Sequence, residues 1–184
     1  MLCLLSIALG LSVSKPLMSL GVFGLFIVWL ADGNHIEKIK AFWENKTVVV
    51  ISSIYLISVL GLIHTSNFEF AFDDLRRKIP LFFIPFFISG FSPITKKEFH
   101  LILKVFIGGV VLASLWSLFV YLGGLNEIIV DVRDLSRFNS HIRFGLEIAL
   151  AIFFCFNFIF NASSLKEKLA WLAFSTWLII ALFL

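Results

Sequence analysis

The sequence predicts an all-α fold, a polytopic transmembrane helix bundle of about seven spans. Three observations carry this. Hydrophobic residues make up 60% of the 184-residue chain, whereas charged residues make up 15%. A soluble domain holds far more charge for its apolar content. Second, the mean hydropathy is +1.01, and the 23 Phe and 5 Trp exceed what a globule this small can hide. Third, the apolar residues come in long runs separated by short polar links, the pattern of helices whose solvent is lipid.

The runs define the elements. Leu2–Ser14 and Leu17–Ala31 flank Lys15-Pro16. One helix through all of it would be about 45 Å long, against a bilayer core of about 30 Å. The Lys-Pro break therefore favours two short helices. Asp32–Thr47 is polar but places Ile36, Ile39, Phe42 and Trp43 on one helical face, with Glu37, Lys38, Lys40 and Glu44 mostly off it. That is an amphipathic interfacial helix, or else a solvated linker. Val48–Ile63 is a span. Thr65–Lys78 is polar. Ile79–Phe91 is a short apolar segment in which Pro85 is expected to kink or break a helix. Leu101–Leu122 is the clearest span, with Lys104 snorkelling at its end. Gly123–Ile142 is the longest polar loop. Arg143–Phe160 and Leu169–Leu184 are the last spans, divided by polar Asn161–Lys168. The whole of 1–184 reads as a single integral membrane domain. Its last run stops in mid-helix, which points to the N-terminal part of a longer protein.

Charge and cysteines exclude several classes. The net charge of +3 is spread in short groups at segment ends, without the clustered basic face that nucleic acid requires. Cys3 and Cys155 lie in apolar runs without CxxC spacing, so no metal site or redox motif is expected. His35, His64 and His100 stand alone at segment ends and read as interfacial residues.

Alternating the loops across a bilayer separates the basic residues by type. One side carries Lys38, Lys40, Lys46, Lys96, Lys97, Lys166 and Lys168, with Lys104 at its edge. The other carries all five Arg (Arg76, Arg77, Arg133, Arg137 and Arg143) with Lys15 and Lys78. Totals of 8 and 7 leave the positive-inside rule nearly undecided. Lysine is a hydrated point charge suited to anchoring; arginine is a planar fork that grips phosphate bidentately. The Lys side is therefore placed in the cytoplasm. The Arg side then either meets an anionic ligand or pairs with Asp73, Asp74, Asp131 and Asp134.

Two constellations could carry chemistry. In Asp73-Asp74-Leu75-Arg76-Arg77-Lys78-Ile79-Pro80, three successive cations sit at the mouth of an apolar segment, with Asp74 able to orient one of them. The group could hold a lipid phosphate or be a solvated interfacial cluster. In Ser136-Arg137-Phe138-Asn139-Ser140-His141-Ile142-Arg143-Phe144, Arg143 opens a span and Glu147 follows four residues later on the same helical face. Ionisable groups inside a span usually face a cavity or a partner. The pair is either self-satisfied or directed at a ligand, and His141 is either a proton acceptor or an exposed loop residue.

The order Ser14-Lys15-Pro16-Leu17-Met18-Ser19, then Asp74-Leu75-Arg76-Arg77-Lys78-Ile79-Pro80-Leu81, then Ser140-His141-Ile142-Arg143-Phe144-Gly145 resembles the O-antigen ligase and Wzy-type polymerase family, most of all its Bacteroidetes-type ligases. The resemblance spans nearly the whole chain. It implies a GT-C-like fold with the ligase core starting near residue 140. The implied activity is a metal-free, cofactor-free glycosyltransferase of the bacterial inner membrane. It would move a glycan from undecaprenyl diphosphate to a lipid A-core or similar acceptor on the periplasmic side. Arginines of the family hold the carrier's diphosphate. Arg143 matches such a residue best, with Arg76, Lys78 and Arg137 as further matches and Glu147, Asp74 and His141 in support. The family's catalytic histidine belongs to a large periplasmic loop expected beyond Leu184, so no catalytic residue is assigned within the chain. The alternatives are an O-antigen polymerase or a non-catalytic membrane protein, either a transporter piece or a lipid-phosphate-binding remnant.

Overall fold

The computed structural model describes residues 1–122 and 140–183. The chain forms eight α-helices among the described residues: α1 (Leu2–Val13), α2 (Lys15–Ala31), α3 (His35–Glu44), α4 (Lys46–Leu60), α5 (Phe68–Ser89), α6 (Lys96–Tyr121), α7 (His141–Asn161) and α8 (Leu165–Phe183). A 3-10 turn, Gly61–His64, extends α4. No strand occurs among the described residues. The all-helical expectation is met.

Among the described residues, three helical segments are long and apolar enough to cross a membrane: Lys46–His64, α6 and α7. The number rises to four if α2 and α3, bent by 119° across a short break, act as one broken span. This is fewer than the seven expected, and the reason is the placement of charge. In α8, Lys166, Glu167 and Lys168 occupy the first turn. The apolar remainder is only about 22 Å long against a core of about 30 Å. In α5 the charged Asp73–Lys78 stretch and the apolar segment after it are one helix. That helix runs through both Pro80 and Pro85, so of the kink or break expected at Pro85 the break is absent. The expected break at Lys15-Pro16 is present: α1 ends at Val13, and Pro16 takes a first-turn position in α2, where its missing N–H leaves no intrahelical bond unmade.

Residues Met1–Gly21 and Lys96–Leu184 form one compact unit and Val22–Thr95 another. In the first, α6, α7 and α8 share a core. Ile107, Val110, Ile148, Ala151, Cys155 and Leu178 are its most buried members, and Ala8 of α1 joins them. The spacing along α7, with Ile148, Ala151, Cys155 and Phe158 buried, is the stripe of a helix with one inward face. Ring contacts set the directions. His100 meets Phe158 and Phe106 meets Phe154, so α6 and α7 run antiparallel. The outward positions stay apolar: Leu146, Leu150, Phe153 and Phe160 are all exposed. Such a surface suits lipid rather than water.

One interhelical hydrogen bond fixes α8 on α6. Trp177 Nε1 donates to Ser114 Oγ at 2.8 Å, and that hydroxyl donates in turn to the Val111 carbonyl at 2.8 Å. Trp177→Phe keeps an aromatic ring and removes the bond. It should destabilise the purified protein by about 1 kcal/mol, read as a lower unfolding midpoint in detergent. An unchanged midpoint would show that this bond does not hold α8.

In the second unit α4 packs on α5, and an aromatic cluster fills the space between α5 and the α2–α3 corner. Phe82 and Phe86 stack at 5.9 Å, and Phe86 meets both Phe42 at 5.2 Å and Trp29 at 5.4 Å. Asn45 and Asn67 cap α4 and α5 by accepting from the Val48 and Phe70 amides. The corner itself turns through Gly33 and Asn34, both at positive φ, where glycine and asparagine meet the least strain. The amphipathic expectation for α3 holds in part. Ile36, Ile39 and Trp43 share an exposed apolar face, while Phe42 turns inward beside a buried Lys38.

Candidate functional site

The two constellations lie in different units, and each is described by itself. In the first unit, Ser140 takes the N-cap position of α7 in an extended conformation, and its carbonyl accepts from the Phe144 amide at 3.0 Å. This starts the helix so that His141 and Arg143 lie in its exposed first turn. One turn further, Glu147 is buried, only 7% exposed. The Ser12 hydroxyl of α1 faces its carboxyl group, and the Arg143 charge acts on it from the preceding turn. Arg143 thus stands with its guanidinium on the outside and a buried carboxyl beneath it. A fork held this way can take two oxygens of a phosphate or diphosphate.

In the second unit α5 presents Asp73 to Lys78. Arg77 pairs with Asp73, and Lys78 pairs with Asp74 at 2.6 Å. Both pairs are one helical turn apart with the acid nearer the N-terminus, the favourable order. Lys78 Nζ also donates to Ser58 Oγ of α4 at 3.3 Å, which aims its charge toward α4. Arg76 is exposed and makes no ion pair among the described residues. Of the three successive cations, two are therefore matched by local carboxylates. Asp74 does orient one cation, Lys78. Arg137, the fourth expected phosphate ligand, lies outside the described residues, as do Arg133, Asp131 and Asp134.

Among the described residues no group of three His, Cys, Asp or Glu is placed to hold a metal ion. Cys3 and Cys155 are both free thiols, the second fully buried.

One charged residue lies on the inward side of its helix against expectation. Lys38, expected off the apolar face of α3, is buried at 5% exposure. Its ammonium donates to the Trp29 carbonyl at 3.0 Å and pairs with Asp32 at 2.9 Å. His100 and Lys104, expected as separate residues at a span's end, together line a cavity instead. Their four-residue spacing, at the start of a span, is the signal in the sequence that points to it.

Among the described residues these features define a helical chain with three helices long and apolar enough to span a membrane, and with arginines on two helices, α5 and α7. No protein-family model matches the sequence, and no curated protein or solved structure is significantly similar to it.

Proposed function

We propose that this chain is the front part of an O-antigen-ligase-like membrane glycosyltransferase that binds the diphosphate of an undecaprenyl-linked glycan on the periplasmic side of a bacterial inner membrane. The observation that carries the reading is Arg143, exposed in the first turn of α7, one turn from the buried Glu147. It stands within Ser140-His141-Ile142-Arg143-Phe144-Gly145, the motif that resembles the family. In this reading the shorter apolar helices also enter the bilayer and complete a seven-span, GT-C-like arrangement. Arg143 grips the diphosphate, and Arg76, Lys78 and Arg137 are the further phosphate-binding cations that the resemblance names. Glu147 and Asp74 orient them, and His141 lies close by. The glycan leaves the diphosphate for a lipid A-core or similar acceptor. Negative charge grows on the departing diphosphate, and a fixed guanidinium stabilises it most at that moment. The general base is supplied from beyond Leu184.

A second reading, lipid-phosphate binding without catalysis, is favoured by the pairing on α5. Arg77 and Lys78 already have carboxylate partners there, an arrangement that anchors a helix at a headgroup layer without any transfer chemistry.

The test uses the chain reconstituted in nanodiscs and titrated with a polyprenyl diphosphate glycan. Arg143→Ala should weaken binding by about tenfold or more, the loss of a bidentate charge-assisted contact. Arg143→Lys should recover only part. Equal affinity of wild type and Arg143→Ala would overturn the assignment of Arg143. Loss of binding without any glycan transfer by the full-length gene product would favour the second reading.

A further inference from the structure

We infer that a cavity at one end of α6, α7 and α8 is a binding site for the headgroup of an amine-bearing phospholipid, one that carries a phosphate and a primary ammonium. The inference does not depend on the transferase reading. It concerns other residues, in the first unit alone.

The cavity measures about 160 Å3 and is lined by His100 and Lys104 of α6, Phe158 and Asn161 of α7, and Glu167 and Trp171 of α8. Its floor is aromatic. Phe158 and Trp171 stack with centroids 4.7 Å apart and planes 20° from parallel. This floor positions the cationic end. Lys104 Nζ lies 5.7 Å from the Phe158 centroid and 6.0 Å from that of Trp171. His100 stands edge-on to Phe158 at 5.4 Å. Lys104 and His100 lie four residues apart on α6, so one helical face offers an ammonium and an imidazole side by side.

The acidic end comes from α8. Glu167 lines the same cavity but forms no ion pair with Lys104. Asn161 donates through Nδ2 to the Asn157 carbonyl at 2.8 Å, which leaves its Oδ1 as an acceptor. One cavity thus holds the donors Lys104 and His100 and the acceptors Glu167 and Asn161 around one aromatic floor. A simple anion would satisfy the first and be repelled by the second. A zwitterion of opposite polarity satisfies both, with its phosphate on Lys104 and His100 and its ammonium on Glu167 and Asn161.

The position selects a lipid over a free zwitterion. The cavity lies in the first turns of α6, a helix long enough to span a bilayer, where headgroups would be. In the same turns α6 exposes Leu101, and α8 exposes Leu169 and Leu172. These are surfaces on which acyl chains can lie.

The experiment purifies the full chain, strips its lipid, and offers an equimolar mixture of phosphatidylethanolamine, phosphatidylcholine and phosphatidylglycerol. Retained lipid is then quantified by mass spectrometry. Wild type should enrich phosphatidylethanolamine about tenfold over both others, the worth of one charge-assisted hydrogen bond to its N–H donors. Glu167→Gln, a change at an exposed position in a helix's first turn, should abolish that preference while retaining lipid. Lys104→Gln should lower retention of all three. Equal retention by wild type, or an undiminished preference in Glu167→Gln, would overturn the inference. So would displacement of the lipid by millimolar phosphoethanolamine alone, since the site would then serve a soluble amine phosphate.

Discussion

Gly10→Ala should pull apart the hairpin of α1 and α2. The two helices meet at Ser14, whose amide donates to the Gly10 carbonyl at 3.0 Å and whose hydroxyl accepts from the Leu17 amide at 3.4 Å. The return is so tight that a Cβ on Gly10 would land on the Met18 backbone nitrogen, with Met18 Cα at 2.8 Å and the Leu17 carbonyl carbon at 2.9 Å. These are backbone atoms, so no rotamer change relieves the overlap. Gly21 makes the same approach from the other helix, where a Cβ would meet the Cys3 carbonyl oxygen at 2.8 Å. Small residues at such crossings let helix backbones touch, which is how helices associate where lipid removes the hydrophobic drive. Ordinary overpacking costs about 1–3 kcal/mol, and a backbone clash belongs at or above the top of that range. Gly108→Ala is the matched control. Gly108 also lies in a helix, but nothing stands within 4 Å of its Cβ position. There alanine should stabilise by about 0.5–1 kcal/mol through helix propensity. Unfolding midpoints of the two variants in detergent should move in opposite directions. If they move together, the close approach at Gly10 is not what the hairpin depends on.

Much of the helical layout is legible in the sequence because apolar runs and polar links are properties of the chain itself. The two uninterrupted runs, Leu101–Leu122 and Arg143–Phe160, fall on α6 and α7 within a few residues. The count of spans is not legible in the same way. A short apolar run bounded by charge reads alike whether it crosses a membrane or continues a charged helix. In Phe68–Ser89 the apolar run continues a charged helix: ion pairs one turn apart within the Asp73–Lys78 stretch let α5 carry its charge without a break. Pro85 does not decide by itself between a kink and a break, since a proline signals a lost hydrogen bond but not whether the surrounding helix tolerates the loss.

The candidate site is legible where it depends on spacing within one helix. Arg143 and Glu147 do share α7, one outside and one buried. What spacing does not reveal is the third party: Ser12, 135 positions earlier in the chain, faces the Glu147 carboxyl from α1. The His100–Lys104 cavity is hidden for the same reason. Its aromatic floor comes from Phe158 and Trp171 on two later helices, and only their packing turns two ordinary helix-end residues into a lined pocket.

Lys38→Ala should loosen the corner between α2 and α3. The helical pattern of α3 puts Lys38 near Phe42, on the side that turns inward. A buried lysine persists only where its charge is matched. Here the ammonium has two oxygen partners, the Trp29 carbonyl at 3.0 Å and Asp32 at 2.9 Å, and two aromatic faces, Trp29 at 5.5 Å and Phe91 at 5.3 Å. Trp29 lies in the last turn of α2, which ends at Ala31, so Lys38 satisfies a carbonyl that the helix itself leaves without a partner. One side chain thus closes the end of α2 and holds α3 at its 119° bend. The Asp32 pairing contributes little by itself, because that carboxylate is 59% exposed and solvent screens it. The bond to the carbonyl and the packing of the lysine stem contribute more. Gly90 approaches that stem so closely that a Cβ there would lie 2.9 Å from Lys38 Cγ. Together these predict a loss of about 2–3 kcal/mol for Lys38→Ala. Lys38→Met keeps the stem and removes the charge, so it should recover about half of that loss. Asp32→Asn should change stability by less than about 1 kcal/mol. Unfolding midpoints of the three variants in detergent test the order. If Lys38→Met is as stable as wild type, the stem rather than the charge secures the corner, and the bond to Trp29 contributes nothing that water or a neighbouring group does not replace.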